Sequence, residues 1–499
     1  MERSSGVLLP VSALPSPYGI GTLGRAAYDF VDWLREAGQQ YWQVLPFGPT
    51  GYGDSPYQSF GAFAGNPYFI DLDTLAEEKL LTKAECLEAD CGQYPGYVDY
   101  ERIYKTRYQV LRKAFARWKA GGCKSSQDLC PETEEYCVYM AVKDHFQGKS
   151  WAEWEDEIRL REPEAMAKLE VKLEEDILFY RFLQLKFQEQ WKKLKAYANG
   201  KGIRIIGDIP IYVAFDSADS WFHPELFQFN AEREPDFVAG CPPDGFSPTG
   251  QLWGNPLYLW DYHKKTGYDW WIRRMAYCFE LCDVVRVDHF RGFDEYYAIP
   301  AEDDTAAGGH WEKGPGLELF DAIERKLGKL EIIAEDLGFL TPSVFEMVRK
   351  SGFPGMKVLE FAFSADGQSI YLPYHYDENC VVYTGTHDND TVQGWYQTMP
   401  EWDRDFSVRY LGNSHTPEEE IHWDFIRAAL GSRARLAVIP MQDYLGLGSE
   451  ARINEPSTLG DNWKWRLLPE NLDEDLAGKC RDLAWVYGRT GEEDKEESV

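Results

Sequence analysis

Eight short apolar runs, separated by amphipathic helical patterns, predict an α/β protein built as a parallel (β/α)8 TIM barrel. Two further observations support that fold class. Acidic residues stand at the C-terminal ends of five of the runs, where such barrels carry their chemistry. No G-x-G-x-x-G follows an early run and no G-x-x-x-x-G-K-[ST] occurs, so a doubly wound nucleotide-binding sheet lacks its main signature.

In chain order the runs are GVLLP (6–10), YWQVLPF (41–47), IRIIGDIPI (203–211), VVRVDHF (284–290), EIIAEDLG (331–338), MKVLEF (356–361), CVVYTGTHD (380–388) and LAVIPMQD (436–443). Each is apolar without alternation, the pattern of a strand covered on both faces. Helical spacing follows between them. Tyr28 to Leu34 places apolar residues on one face and ends at Gly38. Thr341-Pro342 opens a helix with an N-cap and a first-turn proline, and Gly352 follows its end. Thr416-Pro417 starts another that carries Ile421, Phe425 and Leu430 into Gly431.

Two connections are too long for simple crossovers. Residues 48–175, between the second and third strands, read as a largely helical insertion, whose 123–163 stretch carries no chemical motif. Residues 212–270, after the third strand, are rich in Trp, Phe, Pro and Gly and include a candidate flap at 241–258. The whole chain, 1–499, is read as one catalytic domain with these inserts at the loop end of the barrel. After Asp443 the segment LLPENLDEDLAGKCRDLAWVYGR reads as helix, so no C-terminal β domain is expected.

Composition excludes several classes of partner. Apolar and charged shares of 44% and 27% are those of an ordinary globular chain. A net charge of −31 would repel nucleic acid and anionic membrane alike. There is no apolar run long enough to span a bilayer, and Pro10, Pro15 and Pro17 break the N-terminal apolar patch, so a cytoplasmic enzyme is expected. Ten cysteines at irregular spacing, with no C-x-x-C, predict buried thiols rather than zinc ligands or a disulfide framework. The acidic tail GEEDKEESV reads as a solvated end. Aromatic residues make up 15% of the chain and supply flat faces on which sugar rings stack.

The stretch VVRVDHFRGF (284–293) sets Arg286 inside an apolar strand, which demands a paired or working charge. The strand ends supply partners: Asp208, Asp288, Glu335 beside Asp336, Asp388 after His387, and Asp443. Any one of them alone reads equally well as a structural acid capping the next helix. Five on one rim fit either divalent-metal binding or glycosidic-bond chemistry, and the absence of a tight local cluster favours the second. That chemistry needs an ionised carboxylate nucleophile and a protonated acid, held ~5–5.5 Å apart in retaining enzymes. Arg286 would keep Asp288 ionised, while crowding would raise the pKa of Glu335.

At the level of motifs the chain resembles the 4-alpha-glucanotransferases called amylomaltases or disproportionating enzymes, glycoside hydrolase family 77 of the alpha-amylase clan. The segments that carry the resemblance are TGYGDSPYQSFGAFAGNPYFIDL (50–72), IGDIPIYVAFDSADSW (206–221), CPPDGFSPTGQLWGNPLY (241–258), RVDHFRGF (286–293), AEDLG (334–338), YTGTHDNDT (383–391) and RINEPSTLGDNWKWR (452–466). The resemblance implies Asp288 as nucleophile, Glu335 as general acid/base and Asp388 as stabiliser of the transition state. It implies Arg286, His289, His387 and Asp208 around the sugar at the cleaved bond, and Ser55 and Tyr57 near it. Asp244, Gln251 and Trp253 would face substrate from the flap, Asn454 from the opposite lip, and Tyr52 would touch a more distant glucose. The implied partners are α-1,4-glucans, with glucose or a glucan as acceptor, and neither a metal nor a cofactor is implied. The implied reaction is a retaining two-step transfer to a 4-hydroxyl. A hydrolase of the same clan, and a catalytically silent glucan-binding protein, are the alternatives.

Overall fold

The computed structural model describes residues 2–491, except 52, 90–91, 93, 124–127, 244–246, 339, 365–367 and 413. Twelve strands occur among the described residues: β1 (Ser4–Leu8), β2 (Tyr41–Gln43), β3 (Arg204–Ile209), β4 (Phe237–Cys241), β5 (Gln251–Pro256), β6 (Val284–Val287), β7 (Glu295–Pro300), β8 (His310–Lys313), β9 (Ile332–Ala334), β10 (Gly355–Val358), β11 (Cys380–Tyr383) and β12 (Leu436–Pro440). Eight close a parallel barrel in the order β1-β12-β11-β10-β9-β6-β3-β2. Each barrel strand overlaps one of the eight apolar runs. The reason is burial on both faces: every residue of β6 and of β12 is buried.

The regular strands are shorter than the runs. In the fourth run hydrogen-bonded strand ends at Val287, and Asp288, His289 and Phe290 lie beyond it on the C-terminal rim. Register sets the charges: Asp208 of β3 pairs with Arg286 of β6 in adjacent strands. Lower in the barrel, Gln43 of β2 accepts a 2.8 Å hydrogen bond from the Tyr383 hydroxyl of β11 across the interior.

The helices follow the sequence signals with two local differences. The first spans Arg25–Glu36, and Gly352 closes Pro342–Ser351 in the left-handed conformation at φ 71°. Thr341 occupies the N-cap position of that helix, but its hydroxyl bonds Ser343 Oγ at 2.9 Å instead of a backbone N–H. After Thr416-Pro417 the chain makes a 3-10 turn, Glu418–Glu420, before the α-helix Ile421–Gly431 begins.

Between β2 and β3 lie helices that include Tyr100–Ala120, Pro131–His145 and Pro163–Lys172. The next helix, Glu174–Gly200, runs through the expected insert boundary at 175 and delivers the chain to β3. At 27 residues it is ~40 Å long, so one rod serves both the insert and the barrel crossover.

A second, antiparallel sheet has the order β5-β4-β7-β8. Its β4 and β5 belong to the 212–270 stretch, but β7 and β8 were not expected from the sequence. They arise seven residues after Asp288, so the sheet that bears the candidate flap is a direct continuation of the chain from that rim. No disulfide joins the described cysteines, and no described helix is long and apolar enough to cross a membrane.

Candidate active site

The barrel rim is organised by one guanidinium. Arg286 Nη1 donates to both oxygens of Asp208 at 2.7 Å, while Nη2 lies 3.0 Å from Asp288 Oδ1. The Arg286 and Asp208 side chains are 3% and 0% exposed, but Asp288 keeps 29% because it faces the open cleft. The Tyr57 hydroxyl donates to Asp208 Oδ2 at 2.9 Å, and its ring stacks on His387 with centroids 5.1 Å apart. Trp463 lies beside both rings, at 5.9 Å from Tyr57 and 6.0 Å from His387.

Glu335 comes to the same rim just past β9. Its Oε2 accepts from His289 N at 2.6 Å and its Oε1 from Leu337 N at 2.8 Å. Those bonds and Arg286 favour the anion, yet burial and the neighbouring Asp288 charge outweigh them and push Glu335 up to about 8. Asp288 is also raised by burial, but Arg286 pulls it back and it reaches only about 6. Burial raises both carboxyls, and Arg286 offsets the rise more at Asp288, so of the two Glu335 is the one that keeps its proton to higher pH.

His289 adopts a left-handed backbone at φ 50°, which turns the chain sharply after Asp288. Burial, then Arg291, lowers its imidazole to about 3, so the ring is neutral, and its buried Nε2 has no hydrogen-bond partner. The indole of Trp253 meets that ring edge-on at 4.9 Å. On the same face of β5, two residues earlier, Gln251 Oε1 accepts from Trp253 Nε1 at 3.0 Å.

Asp388 projects from the loop after β11 with its side chain 42% exposed. Asn454 Nδ2 donates to its Oδ1 at 2.6 Å, and His387 Nε2 lies 3.4 Å from Oδ2. Arg452 holds that loop by bonding the Asp388 carbonyl at 2.8 Å.

Thus Arg286, Asp208, Asp288, His289, Glu335, His387, Asp388, Tyr57, Gln251, Trp253 and Asn454 form one connected rim. Ser55 sits beside it in another capacity, since its Oγ accepts from Tyr57 N at 3.2 Å and shapes the turn. Tyr52 and Asp244 lie outside the described residues. Two acids expected on the rim are occupied elsewhere. Asp336 Oδ1 accepts from Met356 N at 2.6 Å, and Asp443 Oδ1 from Val392 N at 2.8 Å. Three residues escaped the sequence reading: Trp463, Arg452 and Glu360. The first two stand in the RINEPSTLGDNWKWR motif, and Glu360 is the next-to-last residue of the sixth run, MKVLEF.

A parallel barrel whose rim pairs an arginine-held carboxylate with a second, proton-retaining carboxyl belongs to the class of enzymes that work on glycosidic bonds. Comparison with known proteins narrows the class. The sequence profile of the 4-alpha-glucanotransferase family matches residues 9–471. A 4-alpha-glucanotransferase of Clostridium butyricum is 48% identical over 485 residues, covering 96% of this chain and 99% of its own. Its counterpart in Thermus thermophilus is 47% identical, covering 97% and 98% respectively. Among solved structures, the amylomaltase from Streptococcus agalactiae in complex with acarbose superposes with a TM-score of 0.92 at 40% identity, covering 98% of this chain and 100% of that one. This chain is a member of the 4-alpha-glucanotransferase family. It is an enzyme of carbohydrate metabolism, and the hydrolase alternative is not favoured.

Proposed function

We propose that the chain transfers α-1,4-glucan segments by double displacement, with Asp288 as nucleophile, Glu335 as acid and then base, and Asp388 as stabiliser of the oxocarbenium-like transition state. The observation that carries this reading is geometric: Arg286 Nη2 lies 3.0 Å from Asp288 Oδ1, whereas Glu335 is held by the backbone N–H groups of His289 and Leu337 and is raised by burial and by Asp288.

In the first step an Asp288 oxygen bonds the anomeric carbon as the glycosidic C–O bond breaks, and the Glu335 proton passes to the departing 4-oxygen. In the second, Glu335 takes the proton from an acceptor 4-hydroxyl, whose oxygen bonds the anomeric carbon and releases Asp288. Arg286 and Asp208 hold Asp288 in place; Asp388, oriented by Asn454 and His387, offers its free carboxylate edge to the sugar. The unpartnered Nε2 of neutral His289 suits a bond to a sugar hydroxyl. The flap residues Gln251 and Trp253 cover that position and limit water, the competing acceptor.

The acceptor is tested with maltotriose as sole substrate and no added metal. Glucose together with maltopentaose and longer products is the expected outcome. Glucose and maltose with nothing longer than the trimer would make water the acceptor and overturn the transfer reading.

A further inference from the structure

Glu360 lies just past β10, at the rim but behind the loop that bears Asp388. Its backbone N–H donates to Thr384 O at 3.1 Å, tying it to the end of β11. The residue is 8% exposed, and its Oε1 is buried without a hydrogen-bond partner. The carboxyl rests on the bare α-carbon of Gly385, where a Cβ would come within 2.6 Å of Oε1. Asn389 stands beside it against Gly385; its amide favours the ionised carboxyl, and its Oδ1 accepts from Thr386 N at 2.9 Å and Thr386 Oγ1 at 2.8 Å. Asn389 is therefore the staple of the turn that places His387 and Asp388.

The charged groups facing Glu360 are Asp443 from the end of β12, Asp390 from the Asp388 loop, and Arg452 from the opposite lip. Two of the three are acids. The third, Arg452, directs Nε to the Asn454 carbonyl and Nη2 to the Asp388 carbonyl, both at 2.8 Å. A buried carboxylate with an unbonded oxygen and two acidic neighbours is strongly disfavoured, whereas a neutral carboxylic acid is tolerated there. Burial, then Asp443 and Asp390, outweigh Asn389 and Arg452 and raise this group well above the usual carboxyl range.

We propose that Glu360 is a positioning residue for the transfer reaction: a neutral carboxylic acid wedged against Gly385 that holds Asn389, and through it the turn presenting Asp388. This rests on the Asp388 assignment above.

The test compares the full-length protein with Glu360→Gln and Glu360→Ala in maltotriose disproportionation from about pH 5 to about pH 9. Glu360→Gln keeps shape, neutrality and the hydrogen bond, and its kcat is expected within about twofold of the parent at every pH. Glu360→Ala frees the turn, and kcat is expected to fall about 100-fold with KM little changed. The infrared difference between parent and Glu360→Gln, at a pH slightly above neutral, is expected to show the carbonyl stretch of a protonated carboxyl. This readout does not depend on whether the alanine variant folds. A carboxylate band in its place, a tenfold loss in Glu360→Gln, or a folded Glu360→Ala with parental kcat would each overturn the proposal. If Asp388→Ala alone left kcat unchanged, the Asp388 assignment would fail first, and the infrared result would still decide the state of Glu360.

Discussion

Glu335 and Asp336 are neighbours in sequence and opposites in role. Adjacent residues at a strand end point to opposite sides, so one faces the cleft and the other accepts from Met356 N in the wall. The sequence shows two acids there and cannot say which turns inward; the AEDLG motif resolves it only through family resemblance. The split between Asp288 and Glu335 makes a direct kinetic prediction. With Asp288 attacking as the anion and Glu335 donating a proton, as proposed, kcat/KM should fall below about 6 and above about 8. Those limbs belong to the coupled pair rather than to either residue alone. Glu335→Gln should cost about 100-fold or more in rate with natural glucans and erase the alkaline limb. Replacing Asp288 with Asn removes the neighbouring negative charge, so Glu335 should titrate lower, though burial keeps it above its ordinary 4.5. Asp208→Ala strips Arg286 of its bidentate partner deep in the barrel, and a loss of about 3 kcal/mol in denaturant unfolding is expected.

At the scale of elements, the barrel strands were legible because a strand buried on both faces is an uninterrupted apolar run. The sheet that continues from the rim was not. β8, HWEK, is an edge strand with His310 and Lys313 exposed, and its composition carries no apolar signal. The flap motif was legible as a motif, but not as one hairpin of a four-stranded sheet. That placement has a consequence for partition. The Arg291 guanidinium packs on Trp311 of β8 at 3.8 Å, so the sheet is clamped to the segment that follows Asp288, while Trp253 of β5 meets His289. Trp253→Ala removes the indole that covers His289 without touching the carboxylates. The share of turnover ending in hydrolysis should rise severalfold, read as glucose and maltose formed without longer products from maltotriose.

At the scale of the whole molecule, burial raises several carboxyls at and just behind the C-terminal ends of the strands. Glu335 is raised from 4.5 to about 8, Asp443 and Asp336 from 3.8 to about 6, and Glu360 well above the usual carboxyl range. A carboxyl raised on folding contributes stability that is complete below its unfolded value and is lost as pH climbs through its folded value. The melting temperature should therefore decline between about 4 and about 8, and Glu335→Gln should flatten the upper part of that decline. The net charge of −31 steepens the loss once these groups ionise. Glu335, the proposed acid and base, is thus one of the buried carboxyls that weaken the fold at alkaline pH. The most direct test of the central assignment uses Glu335→Ala with an α-maltosyl fluoride donor, whose leaving group needs no proton, so that the glycosyl-enzyme accumulates. Peptide mass mapping should find the sugar on Asp288. A sugar on another carboxylate, or steady fluoride release with no labelled peptide, would contradict the account.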